Sequence, residues 1–240
     1  MRFAVISDLH FGSAAIQAQK PMVSFLERAS KPDVDFVAVT GDLTDNGYDG
    51  IVTCPCFAPW NNAFVGGGKE NELGEFDTEF VTPLTIAHKP LYLIQGNHDT
   101  YNGASRFPVA RYITRRYGNT YYLVEREGVI MAFLDIYPTE TIRTWLKTQL
   151  TKRKAFENKT PILLFTHYNL MDAFSDWWPE PDKAAFQTLL KDANILGIFV
   201  GHNHTSYQYI WQGFHVYSSA GLQYIIADVQ DGKLSVQFLP

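Results

Sequence analysis

The sequence predicts an α/β layered fold. Short apolar runs rich in Val, Ile and Phe recur along it, and segments with helical spacing lie between several of them. With 240 residues, 46% of them apolar, the chain can also close one large core, so residues 1–240 read as a single domain.

The elements come in order. Phe3–Ile6 and Phe36–Val39 have the length and composition of buried strands. Residues 48–81 break the rhythm with Cys, Pro, three consecutive glycines and several acids, and read as a long inserted loop. Leu91–Ile94 and Val129–Leu134 resume the strands. Residues 139–153 place Ile142, Trp145, Leu146 and Leu150 on one helical face behind a Thr139 cap. After the strand Ile162–Phe165, residues 182–193 place Phe186, Leu189, Leu190 and Ala193 on one face behind an Asp182 cap. Ile195–Val200 is the last of the buried runs. The end of the chain differs: "FHVYSSAG" and "YIIADVQDGKLSVQFL" read as antiparallel strands, the second folded into a hairpin at Asp231-Gly232.

Composition narrows the function. The formal net charge of −5 gives no global basic field for nucleic acid. No apolar run approaches the roughly 18–20 residues that span a bilayer. The start "MRFAVISDLH" lacks the apolar segment of a signal peptide, so the expectation is a cytoplasmic protein unless an export signal has been removed. Cys54 and Cys56, one residue apart, would close a strained ring as a disulfide and lack partners as a metal site. They read as ordinary loop cysteines.

The chemistry sits at the end of each apolar run. The first ends in Ser7-Asp8-Leu9-His10, the second in Thr40-Gly41-Asp42, and the third in Gly96-Asn97-His98-Asp99. "ILLF" ends in Thr166-His167, and "ILGIFV" in Gly201-His202-Asn203-His204. Ligands of open α/β sheets bind outside the carboxyl ends of strands. Five strand ends deliver Asp, Asn and His to one rim, and five of the seven histidines fall there; His88 and His215 do not, and read as non-catalytic. If the strand continues into it, alternation puts His202 and His204 on one face, like half of a metal site.

"DLH", "GD", "GNHD", a lone His after a strand and "GHNH", in this order over residues 8–204, resemble the calcineurin-like metallophosphoesterases. The resemblance implies a four-layer αββα sandwich of two mixed β-sheets flanked by helices, with the C-terminal hairpin strands in the second sheet, and a site for two metal ions. It implies that Asp8, His10 and His204 hold one ion, that Asn97, His167 and His202 hold the other, and that Asp42 bridges both. Nitrogen and carboxylate donors suit Mn, Fe, Zn or Co. A hydroxide held between ions ~3.5–4 Å apart is placed for in-line attack on phosphorus. His98 is the candidate proton donor to the leaving alkoxide, with Asp99 as the carboxylate that orients its ring or caps the next helix.

Other residues near these motifs read more plainly. Asp45 is a turn or cap residue outside the site. Arg106, Arg111, Arg115 and Arg116 form a solvated or ion-paired face. Tyr168, Trp177 and Trp178 either pack or line the cleft mouth. The expected function is a binuclear metal-dependent phosphoesterase acting on a small phosphorylated substrate, most directly a phosphomonoesterase. The alternatives are a phosphodiesterase for cyclic nucleotides or phospholipid headgroups, and a catalytically silent scaffold of the same fold.

Overall fold

The computed structural model describes residues 1–17, 20–47, 71–101, 108–171 and 177–240. Cys54, Cys56, Arg106 and most of the segment read as an inserted loop lie outside the described residues. The first sheet has the order β11 (Lys233–Leu239), β10 (Tyr224–Gln230), β1 (Arg2–Ile6), β2 (Phe36–Thr40), β3 (Leu91–Ile94). Its β1, β2 and β3 are parallel, and β10 runs antiparallel to β1 and β11. The second has the order β4 (Tyr121–Arg126), β5 (Val129–Leu134), β6 (Pro161–Phe165), β7 (Asn194–Val200), β9 (Phe214–Ser219), β8 (Ser206–Trp211). Here β5, β6, β7 and β9 are parallel, and the edge strands β4 and β8 are antiparallel to their neighbours.

Strand alternation builds the layers. In β5, Met131 and Phe133 belong to the core shared with the first sheet, while Ile130, Ala132 and Leu134 face the second sheet's helices. Between the sheets Phe3 meets Phe165 and Phe199 edge-on at 6.2 and 5.5 Å, and Phe133 stacks on Phe165 at 4.6 Å. Outside the first sheet lies the short helix Met22–Ala29, whose Phe25 packs on Phe80 and Tyr224. Outside the second lie the helices Glu140–Lys152, through Ile142, Leu146 and Leu150, and Glu180–Leu190, through Phe186 and Leu190. The result is helices, sheet, sheet, helices.

Four features differ from the sequence reading. The Asp231-Gly232 hairpin joins the first sheet, not the second, because β10 pairs with β1 from Arg2↔Asp228 to Val5↔Ile225. The edge strands β4 and β8 lie outside the apolar runs of the sequence; both are half-exposed, and polar residues interrupt them. Part of the expected loop is helical, from Glu72–Phe76 through a π-helical Asp77–Val81 to Thr82–Ile86, burying Phe76, Phe80 and Leu84 four residues apart. Asp182 is not a cap. Pro179 precedes the helix, and Asp182, in the first turn, accepts a 2.8 Å bond from Arg143.

Candidate metal centre

All five motifs leave the carboxyl ends of parallel strands, β1, β2 and β3 in one sheet and β6 and β7 in the other. The loops after β1 and β2 are knitted together, with Asp8, His10 and Phe11 N–H groups donating to the carbonyls of Gly41, Asp42 and Leu43, each at 3.0 Å. Across the second sheet, Thr166 N–H donates to Phe199 and Gly201 N–H to His167. These bonds set the depth at which each side chain enters the rim.

The chain pays locally for that placement. Asp8, His10, Asp42, His202 and His204 all have left-handed backbone, with φ of 56°, 48°, 49°, 79° and 50°. Non-glycine residues adopt it at a cost, and such conformations cluster at functional sites. The β7 strand ends at Val200, so simple alternation does not orient the two "GHNH" histidines. The turn sends them apart. His202 Nδ1 lies 3.1 Å from Asn97 Oδ1, and His204 Nε2 lies 3.1 Å from His10 Nε2 and 3.5 Å from Asp8 Oδ1.

Two donor groups result. Asp8, His10, Asp42 and His204 bring one ligand atom each within 4.8 Å of one another. Beside them, Asn97 Oδ1 lies 3.0 Å from His167 Nε2 as well as 3.1 Å from His202 Nδ1. Asp42 stands between the groups: its Oδ2 is 3.6 Å from His10 Nε2 and 3.4 Å from His167 Nε2. Asp42 Oδ1 accepts from His98 N–H at 2.9 Å, but the buried Oδ2 has no hydrogen-bond partner among the described residues. An unpaired buried carboxylate oxygen is costly unless a cation meets it.

Tautomers point the same way. Thr40 carbonyl accepts from His167 Nδ1 at 2.8 Å, so Nε2 is the nitrogen that faces the acceptors Asn97 Oδ1 and Asp42 Oδ2. Asn97 Nδ2 donates to Tyr101 Oη at 2.7 Å, which turns Oδ1 inward. Without a metal the cluster must borrow protons. Burial opposes charge on His167, yet Asp42 and Asp8 outweigh it and lift the ring to about 9. Burial and the charge of His167 push His202 down to about 4, and burial also lowers His204. Asp42 is held far below the usual carboxylate range, its burial overcome chiefly by His167. These donors suit a divalent cation in each group, sharing Asp42.

Two residues change place relative to the sequence reading. Asp45, read as a turn residue, is fully buried with Oδ1 3.2 Å from His10 Nδ1 and 3.8 Å from His98 Nδ1. It is a carboxylate placed to orient the His10 imidazole. His98 Nδ1 donates to the Asp45 carbonyl at 2.8 Å, so Asp45, not Asp99, orients that ring. Asp99 instead accepts from the N–H groups of Leu43, Thr44 and Gly96 and from Thr44 Oγ1, clamping the "GD" and "GNHD" loops together. Burial and the nearby Asp42 raise it to about 6.

The aromatic residues divide as well. Trp178 is 1% exposed in the helix-facing core, whereas Trp177 is 57% exposed beside His202. Arg116 pairs with Asp77, as an ion-paired face requires. His88 and His215 lie outside the cluster, and both are exposed.

The motif glycines have a steric reason. A Cβ on Gly96 would lie 2.1 Å from Asp42 Oδ1 and 2.4 Å from its backbone N, and one on Gly201 would lie 2.6 Å from Asp8 Oδ2. Gly96→Ala is therefore expected to displace Asp42 while the fold survives, costing ~1–3 kcal/mol of stability and about 10²-fold in kcat/KM. Calorimetric metal titration beside thermal unfolding checks this. Wild-type metal affinity in Gly96→Ala would show that the contact is not needed.

A model of the calcineurin-like phosphoesterase family matches residues 1–206. No curated protein matches the chain. Among solved structures it is similar to a dimetal phosphatase from Danio rerio, with TM-score 0.66 and 13% identity over 99% of this chain and 95% of that one. It is also similar to GAP50, the anchor in the inner membrane complex of Plasmodium, with TM-score 0.61 and 12% identity over 99% and 84%.

Proposed function

Because the chain belongs to the calcineurin-like phosphoesterase family, we propose that it is a phosphomonoesterase working with two divalent cations held by its seven converging side chains. Asp8, His10 and His204 hold one cation, Asn97, His167 and His202 the other, and Asp42 both. The observation that carries this is Asp42 Oδ2, buried between the His10 and His167 rings with no hydrogen bond among the described residues. When bound, such a pair supplies Lewis acidity that lowers the pKa of water and neutralises phosphate charge.

The chain's own groups do the rest. The Thr40 carbonyl and Asp45 keep His167 and His10 in the tautomer that presents Nε2. Tyr101 keeps the Asn97 oxygen inward. His98, with Nδ1 fixed on the Asp45 carbonyl, keeps Nε2 free to hold a proton and give it to the departing alkoxide.

Lys20 favours monoesters. Its ammonium donates to the Ala220 carbonyl at 2.7 Å. Burial lowers its pKa, and the charges of Asp8 and Asp42 act against that loss, so the ammonium is coupled electrostatically to the first donor group. A cation there complements the second negative charge that a monoester carries and a diester lacks. With Mn²⁺ added, the wild type is expected to hydrolyse p-nitrophenyl phosphate faster than bis-p-nitrophenyl phosphate. Lys20→Gln is expected to lower kcat/KM for the monoester about 10–100-fold, the worth of a charge-assisted hydrogen bond of ~1.5–3 kcal/mol, and to spare the diester. A diester preference in the wild type overturns the monoesterase reading. Failure to hydrolyse either ester with both cations bound supports a scaffold instead.

A further inference from the structure

An exposed tryptophan beside His202, one of the candidate donors, needs a reason. Trp177 is 57% exposed although its neighbour Trp178 is buried against Tyr137 and Phe186, at centroid distances of 5.8 and 5.7 Å. One indole thus anchors the segment, and the other is held out over the rim. The Trp177 ring lies 5.4 Å from His202 and 5.9 Å from Tyr168, and Tyr168 lies 4.7 Å from His202. Tyr168 is 7% exposed and stacked on Tyr137 at 5.8 Å, so the corner has a rigid back. The three rings are tilted or edge-on to one another, at 55°, 68° and 58°, which leaves the Trp177 face unstacked by either neighbour.

We propose that Trp177, backed by Tyr168, is a stacking platform that selects phosphate esters bearing a planar ring, a nucleobase above all. The proposal rests on the metal-site reading, in which Trp177 would be an exposed aromatic neighbour of a phosphate ester held at the donor group that contains His202. Stacking on an aromatic side chain is tolerant of ring identity because every base has a π-face. Trp177 therefore recognises planarity, and no particular base.

Adenosine 5′-monophosphate and ribose 5-phosphate test this, because both break a P–O bond to the primary 5′-oxygen of ribose and they differ in having a base or a hydroxyl at the anomeric carbon. The wild type with Mn²⁺ is expected to favour the nucleotide in kcat/KM, chiefly through KM. Trp177→Ala is expected to cut the nucleotide-to-sugar ratio about 10–100-fold, and Trp177→Phe to restore most of it. A purely structural Trp177 would lower both substrates together and leave the ratio unchanged, which overturns the platform. Calorimetric binding separates this failure from failure of the catalytic reading. If neither compound is hydrolysed, the nucleotide must still bind more tightly than the sugar phosphate in the wild type and equally in Trp177→Ala. Equal binding of both by the wild type contradicts the proposal.

Discussion

Replacing Asp42 with Asn is expected to empty both metal positions while the chain stays folded. Asp42 is 1% exposed, its Oδ1 is tied to the His98 backbone, and its Oδ2 stands 3.6 and 3.4 Å from ring nitrogens of the two donor groups. An amide keeps the volume and the Oδ1 bond but removes the negative charge that two cations would share. Loss of an outer partner of a metal ligand alone costs about 10–100-fold in affinity, so loss of the shared anion should cost on the order of 10²-fold or more at each position. Bound metal measured after dialysis, with circular dichroism as the folding control, gives the result. Retention of two equivalents by Asp42→Asn would show that the carboxylate is not shared.

The second large effect belongs to His98, and it is expected to be selective. His98→Ala should keep both cations, since the ring nitrogen within hydrogen-bond reach meets the Asp45 carbonyl and not the Asn97–His167 pair. With alkyl phosphates, whose leaving alkoxide requires a proton, the rate should fall ~10²–10⁴-fold. With p-nitrophenyl phosphate, whose leaving group departs as a stable anion, the loss should be much smaller. Equal losses on both would mean that His98 positions the site and does not protonate the leaving group.

Most of the donor set was legible because of where strands end. A parallel strand buried on both faces reads as an apolar run, and the first polar residues after it stand at its carboxyl end, so Asp8, Asp42, Asn97, His167 and His202 announce one rim. What failed was local direction. Asp99 comes directly after His98, yet the two lie in a 3₁₀ turn, where successive side chains fan out by roughly 120°, and Asp99 reaches the "GD" loop instead. Asp45 sits three residues after Asp42, as any turn acid might, and only the pairing of the first two loops shows it meeting His10. Alternation would put His202 and His204 on one face only if the strand ran on into them; it ends at Val200, and their positive φ sends them to different partners. The C-terminal hairpin went to the wrong sheet because its pairing with β1 spans almost the whole chain, a distance that no local pattern encodes.

The most direct measurement is anomalous diffraction from crystals of the Mn²⁺-loaded protein. Two peaks ~3.5–4 Å apart are expected, with Asp42 Oδ2 between them, Asp8, His10 and His204 around one, and Asn97, His167 and His202 around the other. A single peak, or a second one outside this ring of side chains, would contradict the shared-carboxylate site on which the proposed chemistry stands.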